Sequence, residues 1–328
     1  MELQDRVKSN AQLTTLFENL KQTVFAAKAS GTVNTYCRSL NRWIEFAKAK
    51  QLVVFPISVV DAALYFSHLS TCQVSASVIE TNYCALKWVH EVAGVPNPMS
   101  NLFVKNIVEG AKRQNAKPVV KKDPITKEAL LACCNKYEHC NDLLVRRNIA
   151  MALLLFAGFF RFSEISALTV QDVTIDPTHL VIRVTQSKTD QYRKGDEVVI
   201  SRSDKVTCPV KNLERYLSLA CIDRKHKDYL FKPLVKLKSA YRLIQKVKPI
   251  SYTAARESIV SLLRQFMPAS ANISLHSFRA GGATAAANAQ ISDRCWKRHG
   301  RWRSESAKDG YVEDSLDARL LVTKSLGL

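Results

Sequence analysis

The sequence predicts a mainly helical α+β protein of two domains, with a small antiparallel β-sheet in the second domain. A length of 328 residues allows two separate hydrophobic cores. Apolar residues recur at helical spacing through most of the chain, and they alternate with polar residues in only a few short segments between residues 169 and 201. The basic, proline-containing stretch 117–124 predicts an extended linker, which separates a helical domain over residues 1–116 from a mixed domain over residues 125–328.

The charge balance predicts a polyanionic partner. The chain carries 48 Lys and Arg against 29 Asp and Glu, a net charge of +19 that is spread along its length. This spread favours nucleic acid over a membrane surface, and a soluble basic protein without such a partner is the alternative. The sequence has neither an apolar run of about 18 residues nor the apolar core of a signal peptide, so we expect no membrane contact.

The cysteines form neither a metal-binding nor a disulfide pattern. Nine are present without a repeated C-x-x-C, and most lie in apolar periodic contexts, so we expect buried thiols in a reducing compartment. Cys134, His139 and Cys140 are the group that most resembles a ligand set, and we expect them to bind no metal. Because nucleotide-binding motifs and carboxylate clusters are also missing from the sequence, we expect no cofactor.

The first domain is predicted to be a helical bundle. A stripe of apolar residues at helical spacing predicts the buried face of its second helix, and consists of Val33, Tyr36, Cys37, Leu40, Ile44 and Ala47. Basic residues lie mostly off this stripe and no catalytic constellation is visible, so the domain is either a generic bundle or a clamp for DNA. The predicted helices are Thr14–Ala29, one that begins at Thr32, Ser58–Ser70, Ser75–Ala93 and Asn101–Arg113.

An apolar helix is predicted at the centre of the second domain. It spans Leu143–Phe160 and leads into Arg161, which is costly at this place unless it is paired, faces a cleft or caps helix carbonyls. The lysine-rich stretch 232–248 is a candidate for following a phosphate backbone. The predicted strands are Thr169–Ile175, His179–Thr185 and Glu197–Ser201, and the other predicted helices are one capped by Thr126, Pro209–Ala220 and Thr253–Phe266.

Most of the candidate chemistry lies near the end of the chain. His276 and Arg279 are three residues apart, so one helical turn places both on the same face, and Ser274 is a candidate cap for that helix. At the glycine pair 281–282, a side chain would block the close approach of a backbone or a phosphate. An arginine beside a histidine makes an anion site with a proton donor, and Tyr311 offers a hydroxyl that can attack the bound group.

The motifs of this segment resemble the C-terminal signature of the tyrosine recombinase (phage integrase) family. In that family an H-x-x-R pair is followed by a His or Trp, and the nucleophilic Tyr comes nine residues later. Here Trp302 takes the His/Trp position, because Tyr311 follows it by nine residues. The segments HSFRAGGAT and GRWRSESAKDGY are most similar to those of the eukaryotic, transposon-borne branch of the family, the DIRS and crypton type.

Three further stretches resemble the same family. GFFRFSEI is similar to its G-x-R-x-S-E-L signature, with one extra residue between Gly158 and Arg161, and this resemblance makes Arg161 the first catalytic arginine. The family keeps a catalytic lysine in a β-hairpin, which SKTDQYRKG places at Lys188, with Lys194 as the competing candidate. GTVNTYCRSLNRWIEFAKAK is similar to the core-binding domain, which grips one face of the duplex.

The resemblance implies a helical core-binding domain, a tyrosine recombinase catalytic domain, and DNA strand exchange through a 3′-phosphotyrosine intermediate without metal or ATP. The two arginines would bind the phosphate, the tyrosine would attack it, the histidine is a candidate base, the lysine is the general acid, and the tryptophan would position the phosphate. Glu164 would orient Arg161, and His299 is a candidate second imidazole. The implied catalytic residues are Arg161, Lys188, His276, Arg279, Trp302 and Tyr311.

The resemblance also implies partners and a place of action. The partners are double-stranded DNA and, in a synaptic complex, a homotetramer, with a tail helix around Leu316 and Leu320 that docks into a neighbouring subunit. Packing of this apolar tail on its own core is the alternative. The protein would act at DNA inside the cell, in the nucleus of a eukaryote or the cytoplasm or nucleoid of a bacterial or viral host.

Three alternative functions would also explain some of these sequence features. The first is a catalytically silent, transposon-derived DNA-binding protein, against which the intact set of site residues argues. The second is a type IB topoisomerase, which shares the chemistry. The third is a small helix-turn-helix repressor, which would need neither Tyr311 nor Lys188.

Overall fold

The computed structural model describes residues 11–185, 187, 190, 194–225, 227–238 and 240–327. The chain forms two compact units, Met1–Val119 and Val120–Leu328. Helices dominate both, and the second unit adds one three-stranded and one two-stranded antiparallel sheet. The predicted fold class is confirmed.

The first unit is a helical bundle around an aromatic core. Trp43, Tyr65 and Phe66 are almost completely buried, and the indole N–H of Trp43 donates to the carbonyl of Val54 over 2.8 Å. Ser58, at which one helix was predicted to begin, caps that helix by accepting from the N–H of Asp61. The helices are α1 (Ala11–Ala26), α2 (Ser30–Ala49), α3 (Val59–Thr71), α4 (Ala76–Ala93) and α5 (Leu102–Gln114), with a 3₁₀ turn at Pro98–Ser100.

The predicted buried stripe of α2 is correct in part. Ala47 is buried, and Leu40 and Ile44 pack against the core as predicted, whereas Cys37 is exposed. The buried residues also include Ser39 and Trp43, which the stripe left out and which form one row with Ala47 at a spacing of four. The large indole of Trp43 sets which row faces the core, because it carries the most apolar area and has a buried acceptor for its N–H.

The expectation of buried thiols was wrong for four cysteines. Cys37, Cys72, Cys221 and Cys295 are exposed, whereas Cys133, Cys134 and Cys208 are buried and the other two are half-buried. All nine lie in the described part of the chain and are free. Among the described residues no group of three or more His, Cys, Asp or Glu side chains is placed to hold a metal ion. None of the described helices is both long and apolar enough to cross a membrane.

The second unit is built around one buried apolar helix. This helix, α7, ends at Ala157 rather than at Phe160, because Phe159 adopts a positive φ of 47°. Thr126 caps α6 as predicted, through the N–H of Ala129. The helices are α6 (Lys127–Lys136), α7 (Leu143–Ala157), α8 (Phe162–Ala167), α9 (Pro209–Leu219), α10 (Tyr252–Arg264), α11 (His276–Asn288), α12 (Asp293–His299), α13 (Glu305–Asp309) and α14 (Leu316–Lys324).

The predicted three-stranded sheet is present with one change at its start. Leu180, Ile182 and Val184 face the core as their alternation predicted. Residues 170–172 form a 3₁₀ turn instead of a strand, since the carboxylate of Asp172 accepts from both the N–H and the hydroxyl of Thr169. A second hairpin, not predicted, lies in the lysine-rich stretch. The strands are β1 (Val173–Ile175), β2 (His179–Val184), β3 (Asp196–Ser201), β4 (Leu234–Lys236) and β5 (Tyr241–Leu243).

The tail helix α14 does not pack on the core of its own unit. None of its residues is buried, and Leu316, Leu321 and Val322 are each more than 60% exposed. The alternative prediction, that this apolar tail packs on its own core, was therefore wrong. The helix therefore exposes large apolar side chains to solvent.

Candidate active site

Arg161 lies at the first turn after the central helix. It precedes α8, where Glu164 accepts from the backbone N–H of Arg161 over 2.9 Å and from its guanidinium Nη1 over 2.7 Å. The Arg161 side chain is 15% exposed and that of Glu164 is completely buried. The contact expected between these two residues is therefore present, and it fixes the guanidinium while leaving part of it open to solvent.

A second arginine, which the motifs did not single out, holds the same carboxylate from the other side. Nη2 of Arg301 lies 2.9 Å from Oε2 of Glu164, and its side chain is 2% exposed. The same guanidinium donates to the carbonyls of Gly158, Phe159 and His299 over 3.2, 3.1 and 2.8 Å. No sequence signal distinguishes this residue, because exposed arginines also lie in the same segment.

Glu164 is held in its ionised form. Burial raises the pKa of its carboxyl, but the charge of Arg301 and the hydrogen bonds and charge of Arg161 lower it by more, so that the pKa lies below its usual range. A buried carboxylate between two guanidinium groups has an ordered set of donors, which is the condition for a charge to be tolerated in an interior.

Arg279 is the most enclosed cation of the site. It is completely buried on α11 and donates from Nη1 to the carbonyl of Phe159 and from Nη2 to the carbonyl of Gly300 over 2.6 Å. Its guanidinium carbon lies 4.4 Å from the centre of the Trp302 ring and 5.1 Å from that of Tyr311. Burial, then the charge of Arg161, lowers the pKa of Arg279 to about 10, so it remains a cation at neutral pH.

Tyr311 lies among three of the predicted site residues. Its ring centre is 5.0 Å from that of His276 and 5.4 Å from that of Trp302, in addition to the contact with Arg279. His276 is exposed at the start of α11, where Ser274 accepts from its backbone N–H. The structure therefore brings a phenol, an imidazole, an indole and a guanidinium into one cluster.

The segment before Tyr311 is fixed by a buried lysine. The side chain of Lys308 is 4% exposed, lies 4.6 Å from the ring centre of Trp296, and pairs with Asp293 and Glu305 over 2.9 and 2.7 Å. The backbone N–H of Tyr311 donates to the carbonyl of Lys308 over 3.0 Å. These contacts hold the tyrosine beside the site of its own chain.

Trp302 carries an unpaired donor. The residue is 6% exposed, and its indole N–H meets no acceptor within the described part of the protein. The Nε–H of Arg279 is also buried and has no acceptor within the described part of the protein. A buried donor left unpaired costs about 1–3 kcal/mol. The cluster therefore has donors that an acceptor-rich group such as a phosphate can satisfy.

Lys188 lies outside the described residues, and the neighbouring parts of its hairpin are described. Asp190 accepts from the N–H of Gly195 over 2.8 Å. This hydrogen bond, with smaller contributions that include the charge of Arg303, lowers the pKa of Asp190. Lys194, the competing candidate, is exposed.

His299 has a structural partner. Its Nε2 donates to the carbonyl of Ala157 over 2.7 Å, and its ring meets that of Phe159 edge-on at 4.8 Å. Burial lowers the pKa of the imidazole, which favours its neutral form. The imidazole next to Tyr311 is that of His276, and His299 holds the end of α7.

The glycine pair allows two backbones to approach α11. A Cβ on Gly281 would lie 2.0 Å from the carbonyl oxygen of Ile125, and one on Gly282 would lie 2.2 Å from that of Phe156. We predicted that these glycines allow the close approach of either a backbone or a phosphate, and the structure shows a backbone at both. The N–H of Ile125 also donates to the carbonyl of Ser277 over 2.9 Å, so the start of the second unit is attached to the helix that carries His276 and Arg279.

Comparisons with known proteins agree with this arrangement. The family model described as "Phage integrase family" matches residues 125–316, more than half of the chain. An integrase/recombinase xerD homolog from Selenomonas ruminantium is 24% identical over 315 residues, covering 94% of this chain and 88% of the relative.

Solved structures with the same fold include two recombinases bound to DNA. XerH site-specific recombinase bound to palindromic difH substrate has a TM-score of 0.59 at 16% identity, covering 90% of this chain and 79% of that one. A lambda integrase dimer bound to a COC′ core site has a TM-score of 0.56 at 14% identity, covering 96% and 81%. The family predicted from the motifs is confirmed, while the narrower resemblance to a eukaryotic transposon branch gains no support. The chain belongs to the phage integrase family, the tyrosine recombinases, which are site-specific DNA strand-exchange enzymes.

Proposed function

We propose that this protein cuts and rejoins double-stranded DNA through a 3′-phosphotyrosine intermediate formed on Tyr311. The observation that carries the proposal is the packing of the Tyr311 ring against His276 and over the guanidinium of Arg279. A nucleophile, a base and a cation for the phosphate are thereby within one cluster, which is the minimum that phosphodiester exchange requires.

The reaction assigns a separate task to each residue. The Tyr311 oxygen bonds to phosphorus while the bond to the 5′ oxygen breaks, and His276 takes the tyrosine proton. Lys188 supplies the proton that the departing 5′ oxygen requires. No high-energy cofactor is consumed, since one phosphoester replaces another and the reverse attack by a 5′ hydroxyl rejoins the strand.

The two arginines and the tryptophan act on the phosphate itself. Arg161 and Arg279 neutralise the charge that develops on the non-bridging oxygens, and the N–H of Trp302 positions one of them. Arg279 is completely buried with the rings of Trp302 and Tyr311 against its guanidinium, so we expect these rings to move when a phosphate binds. Binding of DNA then supplies the acceptors that the unpaired donors of Trp302 and Arg279 lack.

The partners follow from charge and from the exposed tail. The surplus of 19 positive charges suits a duplex, with the helical first unit as a clamp and the second as the catalytic domain. The exposed apolar face of α14 suits docking into a neighbouring copy, and a homotetramer in the synaptic complex closes such contacts into a ring. The protein acts wherever its DNA substrate lies within the cell.

The test uses two DNA substrates and three variants. Tyr311→Phe removes one hydroxyl and should abolish the covalent adduct with little change in DNA affinity. Lys188→Ala should slow cleavage of ordinary DNA by about 10²–10⁴-fold. A bridging 5′-phosphorothiolate at the scissile position should restore cleavage by Lys188→Ala only, because sulfur leaves without a proton.

Tyr252→Phe is the matched control for the nucleophile. The Tyr252 ring packs edge-on at 5.3 Å against Phe162, the residue after Arg161, and it should be dispensable for adduct formation. A covalent adduct in Tyr311→Phe would refute the assigned nucleophile. Normal cleavage of ordinary DNA by Lys188→Ala would refute only the role of Lys188 as general acid. Lys194 and His276 would then be the candidates for that role. Sequence-specific DNA binding without any adduct would favour the catalytically silent alternative.

A further inference from the structure

We propose that Arg301 is a positioning residue for strand cleavage, which acts through Glu164 on Arg161 and through the carbonyl of Phe159 on Arg279. The inference rests on the proposed function, because it concerns how the two phosphate-binding arginines are held. The hydrogen bonds of Arg301 go to Glu164 and to backbone carbonyls, and none of them goes to Tyr311. It is therefore assigned a positioning role rather than a catalytic one.

The backbone of Arg301 is the first argument. Its φ is +57°, a left-handed conformation that costs energy for any residue with a Cβ and that glycine adopts freely. The ion pair and hydrogen bonds of the Arg301 side chain offset that cost. The conformation turns the side chain inward, where it is 2% exposed, whereas the neighbouring Arg298 and Arg303 point to solvent.

The charge on Glu164 is the second argument. Oε1 of this carboxylate holds Arg161, and Oε2 holds Arg301. Without Arg301, the buried carboxylate of Glu164 would keep its ion pair with Arg161 and lose its ion pair with the second guanidinium. The positive field that Arg161 offers to a phosphate would then be largely cancelled. Arg301 offsets the carboxylate, so that Glu164 can orient Arg161 without neutralising it.

A shared carbonyl is the third argument. The oxygen of Phe159 accepts from Arg279 and, over 3.1 Å, from Arg301. Arg301 also donates to Gly158, the residue before it. One side chain thus fixes the turn that precedes Arg161 and shares an acceptor with Arg279. Its loss is expected to shift both guanidinium groups relative to each other.

The experiment compares Arg301→Gly with Arg298→Ala. Glycine accepts the left-handed backbone, so the first variant removes the side chain without adding strain. The second variant removes one positive charge from an exposed arginine of the same segment. Each protein is tested for DNA affinity, thermal unfolding and single-turnover adduct formation on DNA with either a phosphodiester or an uncharged methylphosphonate at the scissile position.

The expected result is a substrate-dependent loss. A displacement of about 1 Å among groups that hold a reacting centre costs about 10²-fold in rate, so Arg301→Gly should lose about that much on the phosphodiester. On the methylphosphonate the defect should shrink to less than tenfold, since one charged oxygen is missing and the arginines have less to neutralise. Added guanidinium ion, at a concentration that does not unfold the protein, should restore part of the activity. Arg298→Ala should cleave both substrates like the wild type.

The opposing results are distinct. An equal defect on both substrates, or a loss of DNA affinity equal to the loss of cleavage, would show a merely structural role and overturn the proposal. If Arg301→Gly fails to fold, Arg301→Gln takes its place, because it keeps an amide donor but removes the charge that offsets Glu164, and wild-type cleavage by it would equally overturn the proposal. If the wild type itself forms no adduct through Tyr311, the proposed function fails, whereas normal cleavage by Arg301→Gly refutes the positioning role alone.

Discussion

The substitution Gly281→Ala tests whether the start of the second unit controls the position of the site. Gly281 lies two residues after Arg279 on α11. A Cβ there would lie 2.0 Å from the carbonyl oxygen of Ile125 and 3.0 Å from its carbonyl carbon. Because ordinary contacts begin at 3.4 Å, the two backbones must separate by more than 1 Å. The neighbour is backbone, so no side-chain rotation relieves the clash.

Two opposing effects set the expected magnitude. Replacing glycine by alanine inside a helix is favourable by about 0.5–1 kcal/mol. Overpacking of a close contact costs about 1–3 kcal/mol, and more when a backbone must move. The free energy of unfolding of the second unit should therefore fall by about 1–2 kcal/mol. A shift of about 1 Å in His276 and Arg279 should slow adduct formation by about 10²-fold.

Gly110→Ala is the matched control, since the same atom is added to a helix where it meets nothing. Gly110 lies in α5, and no heavy atom lies within 4 Å of its added Cβ. This substitution should raise the free energy of unfolding of the first unit by about 0.5–1 kcal/mol and leave cleavage unchanged. Hydrogen exchange read by mass spectrometry during urea unfolding follows each unit separately. Wild-type stability and wild-type cleavage in Gly281→Ala would refute the reasoning.

Three further predictions concern DNA, the tail and acid stability. DNA affinity should fall by orders of magnitude over a few-fold rise in salt if about six phosphates are contacted, and a flat profile in a filter-binding titration would contradict a nucleic-acid partner. Removal of residues 316–328 should leave DNA binding by a monomer but impair recombination in a plasmid assay, and normal recombination would make α14 a local element. Despite burial, Arg301 and Arg161 keep the pKa of Glu164 low, so its contribution to the free energy of unfolding is present above about pH 4.3 and is lost as the pH falls through the lower folded value. Thermal unfolding of Glu164→Gln should lack that part of the acid dependence, and a profile identical to the wild type would exclude the ionised carboxylate.

The elements that sequence patterns predicted well are those with local causes. The caps at Ser58 and Thr126 are visible because a hydroxyl satisfies an N–H only three residues away. The alternation from Leu180 to Val184 is visible because the two faces of a strand meet different surroundings. The cluster around Tyr311 was predicted from motif spacing, and the structure places His276, Arg279 and Trp302 beside that tyrosine.

The elements that sequence patterns missed depend on distant contacts. Arg301 has the same chemistry as its exposed neighbours Arg298 and Arg303, and only a left-handed backbone turns it towards Glu164. The burial of Trp43 on α2, which the apolar stripe left out, comes with a hydrogen bond to an acceptor eleven residues along the chain. Periodicity alone could not decide whether α14 is exposed, because an apolar helix has the same pattern whether it packs on its own core or on a partner; the family resemblance pointed to the partner.

The end of α7 explains why an apolar helix leads into a strongly cationic site. The last carbonyls of a helix have no partner within it, and they carry the negative end of its dipole. Here Ala157 accepts from His299, Gly158 from Arg301, and Phe159 from both Arg279 and Arg301. The carbonyls need donors, and the guanidinium groups of one small volume need negative potential to offset their repulsion. The carbonyls and the guanidinium groups therefore stabilise each other. The end of a largely buried helix can in this way hold Arg279 and Arg301 together, with Glu164 as the one carboxylate in these contacts. The cationic character of the site is therefore built into the backbone of the core, and only the tyrosine and the hairpin remain to be placed around it.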